Sequence, residues 1–591
     1  MTIDALTDEQ RAFADHAEES FLEACPGSGK TRAIVARVCR LCQTLPSRKG
    51  VAILSFTNTA VDEFRDRIRR SDCIPELSFP SFVGTFDAFV RHFFVYPMGI
   101  QHVATRPRIV DSWSRFDSAI INLRGQKALK SRGISLDHFD PINNTLNLSA
   151  LWNTADQAKA KANKTELENA ARYRRSTLLK SGVLSAADAR VVALERVCDP
   201  ETEKALSEAL KGRFIEVVVD EAQDCNAYDI AVLEFLKSAG IPTTVVCDLD
   251  QSIYEFRDST PGKLRDFSNS YATGDRLKLT GNFRSSKTIC ELAGTLKSKG
   301  ITDDAVGKHK DISSKVVVIE YEGRSPAPSI GKTFQSELHQ CGIDFGKAII
   351  IAHSRNAALR ACGKPTGFTQ GNSNVSKVAA SLAAFRNSNG SGRAREKAIE
   401  AIERIILDRI GLDTSNQTTS ALAAEHKLER RWLRRIAFVY LSSLSEECDK
   451  TTEAMSSWIE TARAELDKLN LPVLSSKTTT QFLMKPTKND WVELLRPDEK
   501  TDIRCATVHE AKGREYEAVC FVISPNSSKG RYADELLDAW ESQADEEACR
   551  VAYVGVTRAQ KLLAIAVQKP HRERLTNLLK KSTVQYRLES T

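Results

Sequence analysis

Short apolar runs rich in Val and Ile recur along the chain, and polar or turn residues follow each of them. They occupy residues 51–56, 215–219, 243–247, 316–319, 348–352 and 518–523. Continuous apolar runs without alternation are typical of parallel strands that are buried on both faces. Amphipathic stretches of helical length lie between them, for example at residues 58–70 and 228–239. The pattern predicts an α/β fold with parallel sheets.

Two stretches interrupt this alternation, at residues 105–195 and 372–485. Both are rich in Ala, Leu, Lys, Glu and Arg and contain few strand-like runs, so we expect two mainly helical insertions into two α/β cores. The first core would comprise residues 1–104 and 196–280, and the second residues 281–371 and 486–591. A chain of 591 residues is long enough for such an arrangement, since a domain typically takes about 150 residues.

The charge of the chain is unevenly distributed. Of the net charge of +7, residues 101–200 contribute +6, because they hold 16 Lys and Arg against 10 Asp and Glu. A basic insertion of this kind is a candidate surface for phosphates. A solvated helical face explains the same pattern equally well, so both interpretations stay open.

Hydropathy and cysteine usage favour a cytoplasmic protein. The mean hydropathy is −0.32, and no apolar run approaches the ~20 residues that a membrane helix needs. The first ten residues lack a basic, apolar signal segment. The 14 cysteines are scattered, as in proteins with reduced thiols. Cys39 and Cys42 lie close together without a second pair, which favours a structural helix over a metal site.

A glycine-rich segment follows the apolar pair at residues 21–22 and precedes a helix-like stretch at residues 32–42. Its glycines allow backbone N–H groups to turn inward around phosphate oxygens, its lysine adds a positive charge, and its threonine hydroxyl suits a Mg²⁺ shell. Alanine stands where the first glycine is usual. The predicted nucleotide-binding residues are Ala24, Cys25, Pro26, Gly27, Ser28, Gly29, Lys30, Thr31 and Arg32.

Two carboxylates, Asp220 and Glu221, follow the apolar run at residues 215–219. Ligands of open α/β sheets bind at the carboxyl ends of the strands. Asp220 is therefore suited to holding Mg²⁺, together with Thr31, and Glu221 to deprotonating an attacking water. An acidic cluster alone is often a helix N-cap, but the phosphate-binding loop favours the catalytic interpretation.

A third segment, residues 246–257, combines an amide, aromatic rings and a cation at the end of another apolar run. Gln251 is suited to contacting the γ-phosphate of a nucleotide. Tyr254, Phe256 and Arg257 are residue types that stack on or contact single-stranded bases. Aromatic residues at this spacing are more often part of a core, and both interpretations stay open.

In this order the segments resemble the UvrD/Rep-like superfamily 1A DNA helicases, from Gln10 to Lys561. The resemblance implies two RecA-like cores, 1A and 2A, with accessory insertions 1B and 2B, and ATP hydrolysis with Mg²⁺ between the cores. It also implies 3′ to 5′ movement on single-stranded DNA. By this resemblance Gln10 reads adenine, Phe283 stacks on it, and Arg284 points at the γ-phosphate.

Further motifs carry the same resemblance. Residues 507–516 are similar to a late DNA and nucleotide motif, and residues 547–559 to the final motif, whose second arginine finger would be Arg558. Asp87 and Arg514 depart from the family pattern, which has histidine and leucine there. The remaining residues that the resemblance assigns are Glu515 for the nucleotide, and Phe56, Thr57, Asn58, Thr85, Phe86, Thr507 and His509 for DNA.

The insertions leave the biological setting open. Insertion 1B carries Arg172, Arg174 and Arg175, which we expect to contact DNA. In insertion 2B the basic residues 430–435 suit either a solvated helix or a contact with duplex DNA or a partner. Residues 85–90 and 97–99 are also similar to GajB, the helicase subunit of the Gabija anti-phage system, which would imply a defence role and a GajA-like OLD-family nuclease as partner.

The leading hypothesis is an ATP-dependent DNA helicase that moves on single strands. The alternative is a DNA-sensing regulatory ATPase that activates a partner nuclease and unwinds little itself. An RNA-binding core is a third possibility, and only the family resemblance disfavours it.

Overall fold

The fold is that of a computed structural model of the chain. It describes residues 6–591 except for 44–45, 47, 71–76, 101–102, 124–128, 130–132, 152–153, 254–260, 298–302, 324, 365–372, 387–391, 413–418, 446–447, 449–450, 473–477, 487–490, 492–494, 496–502 and 526–531.

The strands of the described residues form two large sheets and three small ones. In chain order they are β1 (Phe21–Ala24), β2 (Gly50–Ser55), β3 (Phe82–Thr85), β4 (Arg108–Val110), β5 (Ile120–Ile121), β6 (Ile134–Ser135), β7 (Val183–Ser185), β8 (Phe214–Val219), β9 (Thr243–Cys247), β10 (Arg276–Leu279), β11 (Gly281–Asn282), β12 (Asp304–Ala305), β13 (Val316–Tyr321), β14 (Ala348–Ala352), β15 (Arg504–Thr507), β16 (Tyr516–Val522), β17 (Ala559–Gln568) and β18 (Tyr586–Ser590).

Helices connect most of these strands. They are α1 (Asp8–Asp15), α2 (Lys30–Gln43), α3 (Asn58–Arg69), α4 (Phe86–Phe89), α5 (Thr154–Ala162), α6 (Lys164–Lys180), α7 (Ala186–Cys198), α8 (Pro200–Arg213), α9 (Ala227–Ser238), α10 (Pro261–Ser268), α11 (Lys287–Thr295), α12 (Pro328–Gln340), α13 (Arg355–Ala361), α14 (Asn374–Arg386), α15 (Gly392–Ile410), α16 (Thr419–Glu425), α17 (Arg430–Ser443), α18 (Thr452–Asp467), α19 (Thr479–Phe482), α20 (Val508–Ala511), α21 (Tyr532–Ser542), α22 (Glu547–Val556) and α23 (Lys569–Lys581).

The first large sheet has the strand order β10, β1, β9, β8, β2, β3, and all of its neighbouring strands are parallel. Strands β2 and β9 of this sheet are buried at every position, and β1 and β8 at all but one position each. Because the strands are parallel, their carboxyl ends lie at one edge. The glycine-rich loop after β1, the acidic pair after β8 and the Gln251 segment after β9 all lie at this edge.

The six predicted apolar runs are all strands, and the parallel α/β prediction is confirmed. The second large sheet also has six strands, β13 to β18, and its pairs β14/β15 and β16/β17 are parallel. The predicted helices are also present, as α2, α3 and α9. Thr57 caps α3, because its side chain accepts a hydrogen bond from the N–H of Ala60 at 3.2 Å.

The region predicted as a helical first insertion is mixed. Its second half consists of α5 to α7 with the short strand β7 between α6 and α7, whereas its first half contains the short strands β4 to β6 and 3-10 turns. A small apolar core around Trp113 joins this half to α5 and α6. Trp113 is buried and donates from Nε1 to Asp188 of α7 at 3.0 Å. Helix-compatible composition therefore does not produce helix throughout this region.

Contacts within the chain divide it into two compact units. The first comprises Met1–Val318 and Val508–Glu589, and the second Ile319–Thr507 with Ser590–Thr591. The second unit contains helices α14 to α19, as the composition of residues 372–485 predicts, and they enclose an apolar core that includes Tyr440, Trp458 and Trp491. In the described part of the chain, no helix is both long enough and apolar enough to cross a membrane.

Candidate functional site

The glycine-rich segment forms the loop between β1 and α2, and α2 begins at Lys30. Gly27 and Gly29 adopt left-handed backbone conformations, with φ of +70° and +77°. A Cβ atom at Gly27 would lie 2.5 Å from the Cβ of Arg284, and one at Gly29 would lie 2.7 Å from Nε2 of Gln10. The two glycines are therefore required both by conformation and by space.

Lys30 lies among the carboxylates at the ends of β8 and β9. Burial opposes its charge, but Glu221, Asp248 and Asp220 outweigh that effect and raise the pKa of the lysine. Lys30 is therefore held as a cation at the first turn of α2, where the helix dipole also favours anions. Thr31 and Arg32 follow it in the same turn.

Asp220 directly follows β8 and is buried, and its N–H donates to the carbonyl of Leu54 at 2.9 Å. Burial and the neighbouring carboxylate of Glu221 raise the pKa of Asp220 to about 7, against the opposing effect of Lys30. Its Oδ1 atom is buried and has no hydrogen-bond partner within the described residues. A buried carboxylate oxygen without a donor suits a hard cation such as Mg²⁺.

Glu221 has a left-handed backbone conformation, with φ of +57°, which costs about 1 to 3 kcal/mol for a residue other than glycine. Burial alone would raise its pKa, but Lys30, Lys512, a hydrogen bond from Gln223 and Arg558 together lower it. The environment thus shifts the two adjacent carboxyl groups in opposite directions. Such a divergence is typical of pairs with separate chemical roles.

Gln251 and Arg558 are in direct contact. The guanidinium of Arg558 donates from Nη2 to Oε1 of Gln251 at 3.1 Å, and the Gln251 amide donates from Nε2 to Asp248 at 2.7 Å. Both side chains are buried. Burial and the nearby Arg284 lower the pKa of Arg558, while Glu221, Glu515 and Asp248 act in the opposite direction.

Sequence reasoning missed Asp248, which fixes the Gln251 amide. The only signal for it was the pair of carboxylates in the segment Cys-Asp-Leu-Asp at residues 247–250. Asp248 also receives the N–H of Asp250 at 3.2 Å, so it caps the short turn that carries Gln251. The orientation of Gln251 thus depends on a residue three positions before it.

Arg284 and Glu515, to which the resemblance gives separate roles, form an ion pair. Nη2 of Arg284 lies 2.7 Å from Oε1 of Glu515, and Nη1 donates to the carbonyl of Thr557 at 3.1 Å. Glu515 also accepts from Nε2 of Gln560 at 3.1 Å. Burial would raise the pKa of Glu515, but Arg284, the hydrogen bond from Gln560 and Arg558 together lower it.

Gln10 and Phe283 both attach to the backbone of the glycine-rich loop. Gln10 is buried and donates from Nε2 to the carbonyl of Ser28 at 2.8 Å. The N–H of Phe283 donates to the carbonyl of Gly27 at 2.9 Å, and the ring is 38% exposed. An amide and an accessible aromatic ring therefore lie beside the same loop.

The residues predicted for DNA follow β2 and β3. The rings of Phe56 and Phe86 are stacked, with centroids 5.4 Å apart and an interplanar angle of 11°. Phe86 is only 1% exposed, so the accessible ring of the pair belongs to Phe56, which follows β2. Asn58 is exposed at the start of α3, and Thr85 caps α4 by accepting from the N–H of Ala88 at 3.1 Å.

The remaining predicted DNA residues come from later segments of the chain. The ring Nε2 of His509 is 2.9 Å from the carbonyl oxygen of Ile253. Thr507 ends β15 and belongs to the second unit. The three side chains predicted to stack on or contact bases lie outside the described residues, namely Tyr254, Phe256 and Arg257.

Asp87, the departure from the family pattern, has a structural partner. Nη2 of Arg190 lies 2.8 Å from Asp87, and Nε of the same guanidinium lies 2.6 Å from the buried Asp229. Arg190 thus links α4 to α9, the helix that follows the acidic pair. The carboxylate at position 87 has a role in packing within the first unit.

The expectation that Arg175 contacts DNA is wrong. Its side chain is 4% exposed, forms an ion pair with Asp188 and donates to Oδ1 of Asn144 at 2.9 Å. A helix places successive side chains about 100° apart, so one member of an Arg-Arg pair turns inward. Arg172 and Arg174 remain exposed on α6.

The cysteines in the described part of the chain are free. Cys39 and Cys42 lie on α2, as the helical interpretation predicts. Among the described residues no group of three or more His, Cys, Asp or Glu could hold a metal ion. In helix α17, Arg434 is partly neutralised by Glu396 and Glu403, whose carboxylate oxygens lie 3.4 and 3.5 Å from its guanidinium.

Two family models match the chain. The UvrD/REP helicase N-terminal domain matches residues 6–272, and the UvrD-like helicase C-terminal domain matches residues 429–570. Together they span more than two thirds of the 591 residues. The N-terminal match includes the loop, the acidic pair and Gln251, and the C-terminal match includes Glu515 and Arg558.

Relatives that are named as DNA helicases support the same assignment. The chain is 25% identical to DNA helicase II of Escherichia coli K12, over 96% of this chain and 85% of the relative. It is 24% identical to the ATP-dependent DNA helicase UvrD2 of Mycobacterium tuberculosis H37Rv, over 91% and 75%. A probable DNA helicase II homolog of Mycoplasma capricolum is 27% identical, but the match covers 60% of this chain and only 49% of that relative. The chain belongs to the UvrD/Rep-like superfamily 1A, a family of ATP-dependent DNA helicases.

Proposed function

We propose that the chain hydrolyses ATP with Mg²⁺ and uses the energy to move 3′ to 5′ along single-stranded DNA and separate duplexes. The observation that carries the proposal is the contact between Gln251 and Arg558 beside the glycine-rich loop and the acidic pair. This contact brings together two groups that are 307 residues apart in sequence, beside one set of phosphate-binding and proton-accepting residues. Family membership supplies the class of reaction.

The loop from Ala24 to Thr31 binds the phosphates of ATP. Gly27 and Gly29 turn backbone N–H groups toward the phosphate oxygens, and Lys30 supplies a charge that its neighbouring carboxylates preserve. Gln10 and Phe283, which attach to the same loop, are placed to bracket the adenine. Arg32 adds a further donor in the first turn of α2.

Asp220 and Thr31 would hold a magnesium ion, since the buried Oδ1 atom of Asp220 lacks another partner within the described residues. Bound there, Mg²⁺ would neutralise charge on the β- and γ-phosphate oxygens. This assignment leaves Glu221 to accept a proton. The raised pKa of Asp220 fits a carboxylate that receives its compensating charge from a ligand.

In the reaction a water oxygen attacks the γ-phosphorus, and its proton passes to the carboxylate of Glu221. The bond between the γ-phosphorus and the bridging oxygen breaks, so that phosphate and ADP are released. Lys30, Arg284 and Arg558 stabilise the charge that builds on the phosphate oxygens, and Gln251 orients the γ-phosphate. The lowered pKa of Glu221 keeps its carboxylate ready to accept the proton.

Single-stranded DNA crosses the carboxyl edge of the first sheet. The ring of Phe56 is available for stacking on a base. Phe86 is buried and packs against the inner face of that ring, so it does not contact a base itself. Thr57, Asn58 and Thr85 lie beside this pair and can bind phosphates or bases. Tyr254, Phe256, Arg257, Thr507 and His509 are the further contacts that the resemblance supports.

Three assays on the isolated chain test the proposal. We expect ATPase activity that single-stranded DNA stimulates more than RNA of the same sequence, and displacement of a strand from a duplex with a 3′ tail but not a 5′ tail. ATPase activity that DNA stimulates without displacement would favour the DNA-sensing regulatory ATPase instead. Absence of DNA-dependent hydrolysis would contradict the proposal.

A further inference from the structure

Three consecutive backbone carbonyls after β9 each lie within hydrogen-bonding distance of a basic side chain from the later part of the first unit. Lys512 donates from Nζ to the carbonyl of Gln251 at 3.0 Å, and Arg550 from Nε to that of Ser252 at 2.8 Å. Nε2 of His509 lies 2.9 Å from the carbonyl oxygen of Ile253. We call Lys512, Arg550 and His509 the carbonyl clamp.

The carbonyls that the clamp binds lie beyond the end of β9, where no strand pairing can satisfy them. Strand β9 ends at Cys247, and a short turn at Leu249–Gln251 follows. Gln251, Ser252 and Ile253 are all buried, so their carbonyl groups need partners within the protein. Charged donors make stronger hydrogen bonds than neutral ones, so the clamp fixes the backbone that carries Gln251.

Each of two clamp residues is itself oriented by a carboxylate. Lys512 lies 2.7 Å from Oδ1 of Asp224, which is three residues beyond Glu221. Arg550 is buried, and its Nη1 lies 2.5 Å from Oδ1 of Asp545. The clamp therefore ties the Gln251 backbone to the acidic motif through Lys512 and to the start of α22 through Arg550.

We propose that Arg550 and Lys512 are positioning residues for Gln251, a role that rests on the proposed function. By holding the carbonyls of residues 251 and 252, they keep the Gln251 amide between Asp248 and Arg558. Neither residue belongs to the nucleotide-binding loop. Their loss should therefore slow the hydrolysis of bound ATP while leaving the affinity for ATP nearly unchanged.

The test uses full-length Arg550→Met, which retains most of the apolar stem but removes the donors. We expect kcat for DNA-stimulated ATP hydrolysis to fall at least ~10-fold, with KM for ATP within about twofold of wild type. Arg550→Lys, which restores a charged donor, should recover at least about half of the wild-type kcat. A purely structural role would not produce this combination of a kcat effect and rescue.

Arg265→Met is the matched control, because Arg265 pairs with the same Asp545 at 2.8 Å but does not belong to the clamp. It should keep the wild-type kcat. A normal kcat in a folded Arg550→Met variant, or a rise in KM alone, would overturn the proposal. If Arg550→Met melts below the assay temperature, Lys512→Gln decides instead, with the pH profile of kcat as a second readout because Lys512 also lowers the pKa of Glu221. A fall in kcat of at least ~5-fold at constant KM with an unshifted pH profile supports the clamp. An unchanged kcat, or a fall that comes with an acid limb shifted to higher pH, overturns it.

The two proposals fail in different ways. If wild-type protein does not hydrolyse ATP with DNA present, the proposed function is wrong. If wild type does hydrolyse ATP and the Arg550 and Lys512 variants match it, only the clamp is wrong.

Discussion

Arg558 donates a hydrogen bond to Gln251 across a sequence separation of 307 residues, with a distance of 3.1 Å. Four further bonds hold the two side chains. Gln251 donates to Asp248, and Arg558 donates to the carbonyls of Val554 and Arg514 and to the hydroxyl of Thr557. A cation from the final motif thus lies against the amide proposed to contact the γ-phosphate. A substitution at either residue should therefore change the orientation of the other side chain.

Arg558→Ala should lower ATP hydrolysis at least ~100-fold, because it removes a charge that stabilises the transition state. Binding of ATP should change little, since the loop and Lys30 remain. Hydrolysis is measured by phosphate release and binding by isothermal titration. Arg574→Ala, which removes a half-buried arginine paired with Asp538 and Glu541, should match wild type. A large loss of ATP affinity in Arg558→Ala would assign the residue to binding instead.

Gly27→Ala should abolish high-affinity ATP binding. The added Cβ would lie 2.5 Å from Cβ of Arg284, at a residue whose φ is +70°, so both the loop and Arg284 must shift. Gly274→Ala provides the control, because a Cβ there meets no atom within 4 Å. Equal ATP affinity for the two variants, measured by titration, would show that the loop does not approach a nucleotide as described.

Arg37 should be important for stability rather than catalysis. It is fully buried on α2, pairs with Glu216 at 2.7 Å and donates to three backbone carbonyls, among them that of Glu18 at 2.7 Å. Arg37→Met leaves Glu216 buried and unpaired, which should cost about 3 to 5 kcal/mol in urea unfolding. Arg67→Met removes an exposed pair with Glu63 and should cost less than about 1 kcal/mol. Similar costs for both variants would contradict this view of the buried pair.

The arginines of α6 fall into two groups, because Arg172 and Arg174 are exposed and Arg175 is buried. Arg172→Gln with Arg174→Gln should weaken binding to duplex DNA, and the slope of log K against log salt should flatten by up to about 0.9 for each phosphate that is no longer neutralised. Arg175→Gln should instead lower thermal stability and leave the slope unchanged, since its side chain is buried against Asp188. An unchanged slope in the double variant would make Arg172 and Arg174 part of a solvated helical face.

Local sequence predicted most of the fold and the individual segments of the site. Apolar runs such as residues 243–247 identify buried strands by themselves. The glycines of the loop before Lys30 likewise indicate the left-handed backbone conformation that the structure shows there. Partners distant in sequence left no such signal. The pairing of Arg284 with Glu515, separated by 231 residues, depends on how the later strands and helices pack.

The same limit explains the residues whose surroundings differ from expectation. Arg175 and its exposed neighbour Arg174 look alike in sequence, and only the packing of α6 against Asp188 distinguishes them. Phe86 likewise belongs to an aromatic segment in which burial, not residue type, decides which ring is accessible. The defence role and the nuclease partner stay predictions.

Glu221→Gln tests the central claim most directly. The variant keeps the shape of the side chain and the loop that binds ATP but cannot accept a proton. We predict that ATP affinity stays within about threefold of wild type while DNA-stimulated hydrolysis falls at least ~100-fold and strand displacement is lost. Glu234→Gln, on the exposed side of α9, should behave like wild type. Near wild-type turnover in Glu221→Gln would contradict the assignment of Glu221 as the base and, with it, the proposed site of hydrolysis.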